Sequence, residues 1–184
     1  MGEPVQVRVA EPRDAAAIAR IYNEGIQDRV ATFETRERVP AEVLGWLGDP
    51  RHPVLVAERA SEVVGWASAS RYRDRECYAG IAEFSVYVGR SARGAGVGDA
   101  LMAAFIAACE AAGVWKLVSR VFPENAASRG LCRRHGFREV GTYRKHARLD
   151  GVWRDVVIVE RLLEANLTPR PALAGSADEN ARIR

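Results

Sequence analysis

The sequence predicts an α/β domain in which a mixed β-sheet carries helices on its faces. Short segments with two-residue apolar alternation recur along the chain, interleaved with segments of helical period. Two pairs of strand-like segments are separated only by a tight polar turn, the mark of antiparallel hairpins. A strand, a glycine-rich run and an amphipathic helix follow one another in the middle of the chain. The resulting order, βααββ, then βαβα, then ββ, is that of a layered domain with one sheet.

Each element has its own warrant. Val5-Gln6-Val7-Arg8-Val9 alternates as a half-buried strand does. Asp14 is suited to cap a helix whose Ile18, Ile21, Tyr22 and Gly25 share one face. Residues 26–39 read as a loop, and Pro40 opens a short helix through Val43, Leu44 and Leu47. Pro53–Glu58 and Val63–Ser68 form a predicted hairpin. The basic stretch Arg71-Tyr72-Arg73-Asp74-Arg75 leads into a core strand at Ala82–Val88. Beyond the glycines, Val97, Leu101, Phe105 and Ala108 line one helix face, which Gly113 ends. Leu117–Val121 is a further strand, and Pro123-Glu124-Asn125 opens a helix closed by Gly136. Two last strands, Val140–Arg148 and Trp153–Leu162, flank the turn signal Asp150-Gly151. From 165 to 184, Pro169, Pro171, Gly175 and Ser176 interrupt any apolar period, which predicts a flexible tail after a domain of residues 1–164.

Composition narrows the function classes. The chain has 184 residues, 48% hydrophobic and 28% charged, with a formal net charge of +3. That is the size of one domain and a globular balance. No apolar run approaches the roughly 20 residues of a membrane span. Met1-Gly2-Glu3-Pro4 lacks the basic-then-apolar start of a secretory signal. Cys77, Cys109 and Cys132 are odd in number and include no C-x-x-C pair, so neither a disulfide framework nor a metal site is expected. A reducing, cytoplasmic setting follows. The positive charge resides mostly in scattered arginines; nucleic-acid binding would call for a denser basic stripe with interleaved aromatics, whereas arginine suits the gripping of carboxylates or phosphates.

The sharpest local feature is Arg93-Gly94-Ala95-Gly96-Val97-Gly98, between a strand and a helix. Small residues there expose consecutive backbone N–H groups at a helix N-terminus, an anion site. A Walker loop is excluded, because Asp99 follows Gly98 where lysine is required, and the spacing also fails the dinucleotide pattern. A purely structural turn is the alternative.

In combination the signal sharpens. Arg-x-x-Gly-x-Gly follows Val86-Tyr87-Val88, and Asn125-x-x-Ser128-x-x-Leu131 with Gly136-Phe137 lies some way downstream. This resembles the acyl-CoA signature of the GCN5-related N-acetyltransferases over about residues 5–163. Ala31-Thr32-Phe33-Glu34-Thr35, Arg73-x-Arg75-x-x-Tyr78, Ala82–Val88 and Asp150-Gly151-x-Trp153-x-Asp155-Val156 resemble the phosphinothricin N-acetyltransferase group. The run from Trp115 to Asn125 is similar to its arsinothricin-resistance branch, and methionine sulfoximine acetyltransferases share most of these motifs.

The resemblance implies acetyl-CoA as co-substrate. The amides of residues 93–98 would hold the pyrophosphate, and Val86, Tyr87 and Val88 the pantetheine arm. Asn125 would touch the cofactor near the thioester, and Ser128 would also bind the cofactor. It implies a small amino-acid acceptor, a cytoplasmic homodimer, and a pocket that borrows from a partner near Val156. Phe33, Thr35, Arg73, Arg75 and Tyr78 would bind the acceptor. In an extended loop Arg73 and Arg75 would project the same way, although Asp74 and Glu76 are placed to neutralise them.

Acetyl transfer needs a proton acceptor for the ammonium, donors for the tetrahedral oxyanion and a route for the leaving thiolate. Glu83 is the expected acceptor, with burial raising its pKa; an outward-facing strand carboxylate is the alternative. The group carries a histidine on the second helix as proton donor. Here that register holds Cys132, either a weak donor or a small core residue. A non-catalytic acyl-CoA-binding module and acetylation of a protein N-terminus are the competing readings.

Overall fold

The computed structural model describes residues 3–167, so most of the expected tail lies outside the described residues. The strands are β1 (Gln6–Val9), β2 (Val54–Arg59), β3 (Glu62–Arg71), β4 (Ile81–Val88), β5 (Lys116–Val121), β6 (Arg138–Leu149) and β7 (Val152–Leu162). The helices are α1 (Ala15–Asp28), α2 (Pro40–Leu44), α3 (Val97–Ala111) and α4 (Ala126–Arg134). The strands form one sheet in the order β1-β2-β3-β4-β5-β7-β6. Every neighbouring pair is antiparallel except β4 and β5.

Alternation along β2 and β3 divides the core in two. Leu55, Ala57, Ala67 and Ala69 face α3, whose Leu101, Met102, Phe105 and Ile106 cover them. Val54, Val56 and Trp66 point the other way, against Ile18 and Ile21 of α1 and Val43 of α2. Trp66 is 2% exposed and stacks on Tyr87 at 4.8 Å. Gly25 is required where α1 crosses this layer. A Cβ there would come within 2.6 Å of the Tyr87 ring.

Three local expectations change. The helix α1 continues through Ile26 to Asp28, because Ile26 is buried and extends the stripe begun by Ile18 and Ile21. The chain leaves it only at Arg29, which is left-handed at φ 58°. Asp14 precedes α1 but makes no side-chain cap. Its buried carboxylate instead accepts from Arg8 at 2.7 and 2.9 Å and from the Glu11 amide at 2.7 Å. Near the C-terminus, Glu164–Asn166 forms a 3-10 turn, and Asn166 donates to the Glu110 and Val114 carbonyls at 2.7 and 2.8 Å. Residues 165–167 therefore belong with the domain.

One irregularity of the sheet positions the site. The parallel pairing of β4 with β5 covers only Ile81↔Lys116, Ala82↔Leu117 and Glu83↔Val118. Beyond Glu83 the strands diverge, while β4 stays paired with β3 as far as Gly65↔Val88. The edge of β4 that faces β5 is thus open from Phe84 onward, and Ser119 spans the gap by donating to the Phe84 carbonyl at 2.9 Å.

Candidate active site

The chain leaves the open end of β4, turns at residues 89–96 and enters α3. Gly94 and Gly96 are left-handed at φ 74° and 77°, a conformation that costs a side chain about 1–2 kcal/mol. A Cβ on either would meet no atom within 4 Å, so both face open space. Among the described residues, no backbone acceptor takes the amides of residues 94–99, and the first bond of the helix runs from the Ala100 amide to the Gly96 carbonyl at 3.1 Å. These bare donors, at the positive end of a 15-residue helix, fit a diphosphate.

The loop borders a cleft of about 530 Å³. Its walls are Asp28 at the end of α1 with Val30 and Ala31 beyond it, Val86 and Val88 of β4, and Asn125 before α4 with Ser128 and Leu131 within it. Gly94, Gly96, Val97 and Gly98 line it, as do Arg93 and Tyr87; Ala95 does not. The Arg93 side chain is already committed, donating to Asp28 at 2.8 Å and to the Val88 carbonyl at 3.1 Å. Arg93 therefore shapes the cleft, its guanidinium taking one of the two lone pairs of the Val88 carbonyl. Burial works against ionisation of Asp28, but hydrogen bonds from Arg90 and Arg93 outweigh it and hold the carboxyl below its usual range. Asn125 caps α4 by accepting from the Ser128 amide at 3.0 Å, and donates to the Val30 carbonyl at 3.0 Å. It joins the two walls.

Tyr87 lines the cleft while its ring turns away from Val86 and Val88. Its ring lies in the α1 layer between Trp66 and Tyr22, and its hydroxyl donates to the Ala31 carbonyl at 3.3 Å. Burial drives its pKa far above the ordinary value, so the hydroxyl stays protonated at neutral pH.

A narrower cleft occupies the gap between β4 and β5 and shares Ala31, Val86, Asn125, Ser128 and Leu131 with the first. Its further walls include Ser119, Arg120, Phe122 and Cys132. Glu83 stands where the gap begins. Contrary to expectation it is not buried: its side chain is 30% exposed and its Oε1 accepts from Nη1 of Arg120, which sequence reasoning left without a role. Alternation separates Glu83 from the buried Ala82 and Phe84, so it faces away from α3.

Cys132 lines this cleft and is 4% exposed. Burial pushes its thiol up to about 11, so it holds its proton at neutral pH. Passing that proton to a leaving thiolate of ordinary pKa, about 8.5, would be uphill by about 3 kcal/mol. The environment is that of a packed core residue, beside Phe84 and Phe137 in one cluster.

The expected acceptor-binding residues are not gathered into one pocket. Phe33 packs edge-on against Phe122 at 4.8 Å. Thr35 is exposed. The 72–78 segment is not an extended strand: a 3-10 turn at Glu76–Tyr78 follows Arg75, and the Tyr72 and Tyr78 rings meet edge-on at 5.9 Å. Arg73 lies over Tyr72 at 5.3 Å and Arg75 over Tyr78 at 5.8 Å. Asp74 pairs with Arg71 and neutralises neither of them. None of Arg73, Arg75 and Tyr78 lines the two clefts described. Val156 is 1% exposed, packed with Phe122 and Leu149 of its own chain, so its side chain is unavailable to a partner's pocket. Among the described residues no cluster of metal-ligating side chains occurs, and no helix is long and apolar enough to cross a membrane.

Comparison with known proteins agrees with this geometry. Residues 18–137 match the model of the acetyltransferase (GNAT) family. The chain is 37% identical to a phosphinothricin N-acetyltransferase of Alcaligenes faecalis, over 90% of this chain and 86% of that one. It is 34% identical to an L-methionine sulfoximine/L-methionine sulfone acetyltransferase of Pseudomonas aeruginosa, over 86% and 94% of the two chains. Among solved structures, a phosphinothricin acetyltransferase of Sinorhizobium meliloti in complex with AcCoA superposes with a TM-score of 0.83 at 28% identity, covering 92% of this chain and 94% of that one. A ribosomal-protein-alanine N-acetyltransferase of Brucella melitensis superposes with a TM-score of 0.82 at 34% identity, over 86% and 99% of the chains. With its split sheet, its bare glycine loop and this match over most of its length, the chain belongs to the GNAT family and is an N-acetyltransferase.

Proposed function

We propose that the protein moves the acetyl group of acetyl-CoA to the α-amino group of a small amino acid that bears an anionic side chain, of the phosphinothricin or arsinothricin type. What carries this reading is that the two clefts share their walls, and that Glu83, where β4–β5 pairing ends, is bonded to Arg120, which lines the narrower one. The co-substrate supplies an activated thioester. The unpartnered amides of the glycine loop hold its phosphates, and Asn125 and Ser128 line both clefts.

An α-ammonium group is protonated at neutral pH, and Glu83 accepts its proton. The neutral amine adds to the thioester carbonyl, while main-chain N–H groups of the open β4 edge around Val86 receive the oxyanion. The C–S bond then breaks. The former amine nitrogen gives up its second proton to solvent water as the amide forms, and the thiolate takes its proton from solvent rather than from Cys132. Arg73 and Arg75 have no ion-pair partner among the described residues, and the acceptor's side-chain anion is the partner we assign them. Masking the amine of such an amino-acid toxin would confer resistance on a cell that expresses the protein in its cytoplasm.

Release of thiol from acetyl-CoA, followed with phosphinothricin, arsinothricin, methionine sulfoximine and N-terminal peptides, tests the reading. Glu83→Gln should lower kcat at least about a hundredfold at saturating acetyl-CoA. Absence of amino-acid-dependent thiol, or full activity of the variant, would sink it. The alternative, methionine sulfoximine or sulfone as the natural acceptor, draws support from the Pseudomonas aeruginosa relative, and the same panel ranks the two.

The protein is proposed to act as a homodimer. From Arg138 to His146 the edge strand β6 is exposed on both faces, and Tyr143 and Trp153 are 54% and 49% exposed. A second copy of the chain is the occupant that suits this edge. Sedimentation velocity of the purified protein should give twice the chain mass, and a monomer at micromolar concentration would refute it.

A further inference from the structure

We infer that Arg120 binds the α-carboxylate of the acceptor, so that the Glu83–Arg120 pair recognises the amino-acid zwitterion as a unit. This rests on the proposed acetylation of an amino acid. It concerns a residue of β5 to which neither the motifs nor the relatives' names give a role.

Three features of the chain converge on it. Glu83 and Arg120 are joined by a charge-assisted hydrogen bond across the β4–β5 gap, on the sheet face away from α3. Both remain partly exposed, at 30% and 39%, and a pair so exposed contributes only about 0–1 kcal/mol, so it exchanges partners readily. Arg120 is also the one charged side chain lining the narrow cleft, among walls otherwise made by residues such as Ser119, Phe122, Asn125 and Cys132.

The chemistry of the acceptor supplies the rest. In an α-amino acid the carboxylate sits on the carbon that bears the amine. Whatever group takes the ammonium proton therefore has a carboxylate close beside it. If Glu83 receives the ammonium, the nearest cation available to that carboxylate is the guanidinium already bonded to Glu83. Binding becomes an exchange in which no charge is left alone. Arg120 passes from Glu83 to the acceptor carboxylate, and Glu83 passes from Arg120 to the ammonium. Guanidinium suits the task because it grips a carboxylate with two parallel N–H groups. Arg73 and Arg75, on a separate loop, are left for the side-chain anion.

The test compares an acceptor with its carboxylate against one without: methionine sulfone and its α-carboxamide, each at saturating acetyl-CoA. The wild type should prefer the free acid. Arg120→Met should lower kcat/KM for the acid about ten- to hundredfold, mainly through KM, and change the amide less than about threefold, the size of loss expected for a charge-assisted hydrogen bond. Arg120→Lys should restore part of the preference. Equal losses on acid and amide would overturn the inference, since a residue that only positions Glu83 or supports the fold cannot distinguish them. An unchanged acid would overturn it as well. If the wild type acetylates neither compound nor any amino acid of the panel, the functional reading itself fails and the role of Arg120 falls with it.

Discussion

Gly96 allows the cost of the fold to be separated from the cost of the ligand. It precedes α3 at φ 77°, and a Cβ built on it meets nothing within 4 Å. Gly96→Ala therefore adds no collision, only the backbone penalty of about 1–2 kcal/mol for a left-handed residue with a side chain. For a domain of this size that lowers Tm by roughly 2–8 °C. The same methyl group stands in the space a diphosphate must enter to reach the bare amides. Losing one charge-assisted hydrogen bond is worth about 1.5–3 kcal/mol, which weakens coenzyme A binding roughly ten- to hundredfold. Gly113, at the other end of α3, is the control: it has φ 82° and is equally free of neighbours. Gly113→Ala should show the same thermal loss with unaltered affinity. Calorimetric titration with coenzyme A well below both melting temperatures, beside thermal melts, reads the two effects separately. The reasoning is refuted if Gly96→Ala binds as the wild type does, or if Gly113→Ala weakens binding to the same degree.

Two further outcomes follow from the buried thiols. Cys132→Ser should keep kcat within about threefold, because a thiol held near pH 11 is a poor source of protons; a hundredfold fall would reinstate it as a donor. Burial pushes Cys109 up to about 12 and Cys132 up to about 11, from an ordinary value near 9. The folded state then keeps protons that the unfolded chain releases, so this stability is complete below pH 9 and declines as pH rises through 11 and 12. Each pH unit is worth about 1.4 kcal/mol per group. Melting curves between pH 8 and 11 should fall less steeply for Cys109→Ala than for the wild type, and parallel curves would contradict the assignment.

The glycine loop, the strands and both long helices could be read in advance because their signals are local. Positive φ, two-residue alternation and helical stripes are properties of a few neighbouring residues. What sequence reading missed are the pairings between distant segments. Arg120 reaches Glu83 across 37 positions, and Arg93 reaches Asp28 across 65. No periodicity encodes either partner. The only hint at Arg120 was a charged residue continuing the face of Lys116 and Val118, opposite the apolar Leu117 and Val121. Arg73 and Arg75 were assigned a common direction by assuming an extended loop. The loop is instead bent, and the two arginines gather by stacking on Tyr72 and Tyr78, whose rings touch at 5.9 Å. Glu83 was expected to be buried because its neighbours are apolar, yet those neighbours occupy the other face of the strand.

The site depends on an unfinished sheet. Buried backbone groups are nearly always paired, and an unbroken β4–β5 ladder would satisfy every amide along that edge of β4. Pairing instead stops at Glu83, and a single serine hydroxyl spans the gap at Phe84. The same strand ends in the loop that begins α3, where a second set of amides, at residues 94–99, also has no acceptor. Both sets face clefts with shared walls because β4 is the one strand that is parallel to its successor. Its chain must leave the sheet by a helix and re-enter on the far side of the gap, which puts the helix N-terminus at the open end of the strand. The parallel pair, the split and the bare helix end thus arise from one topological choice. Closing the ladder by residues that pair β4 with β5 past Val118 would stabilise the sheet and remove the place where an acyl group and an amine can meet.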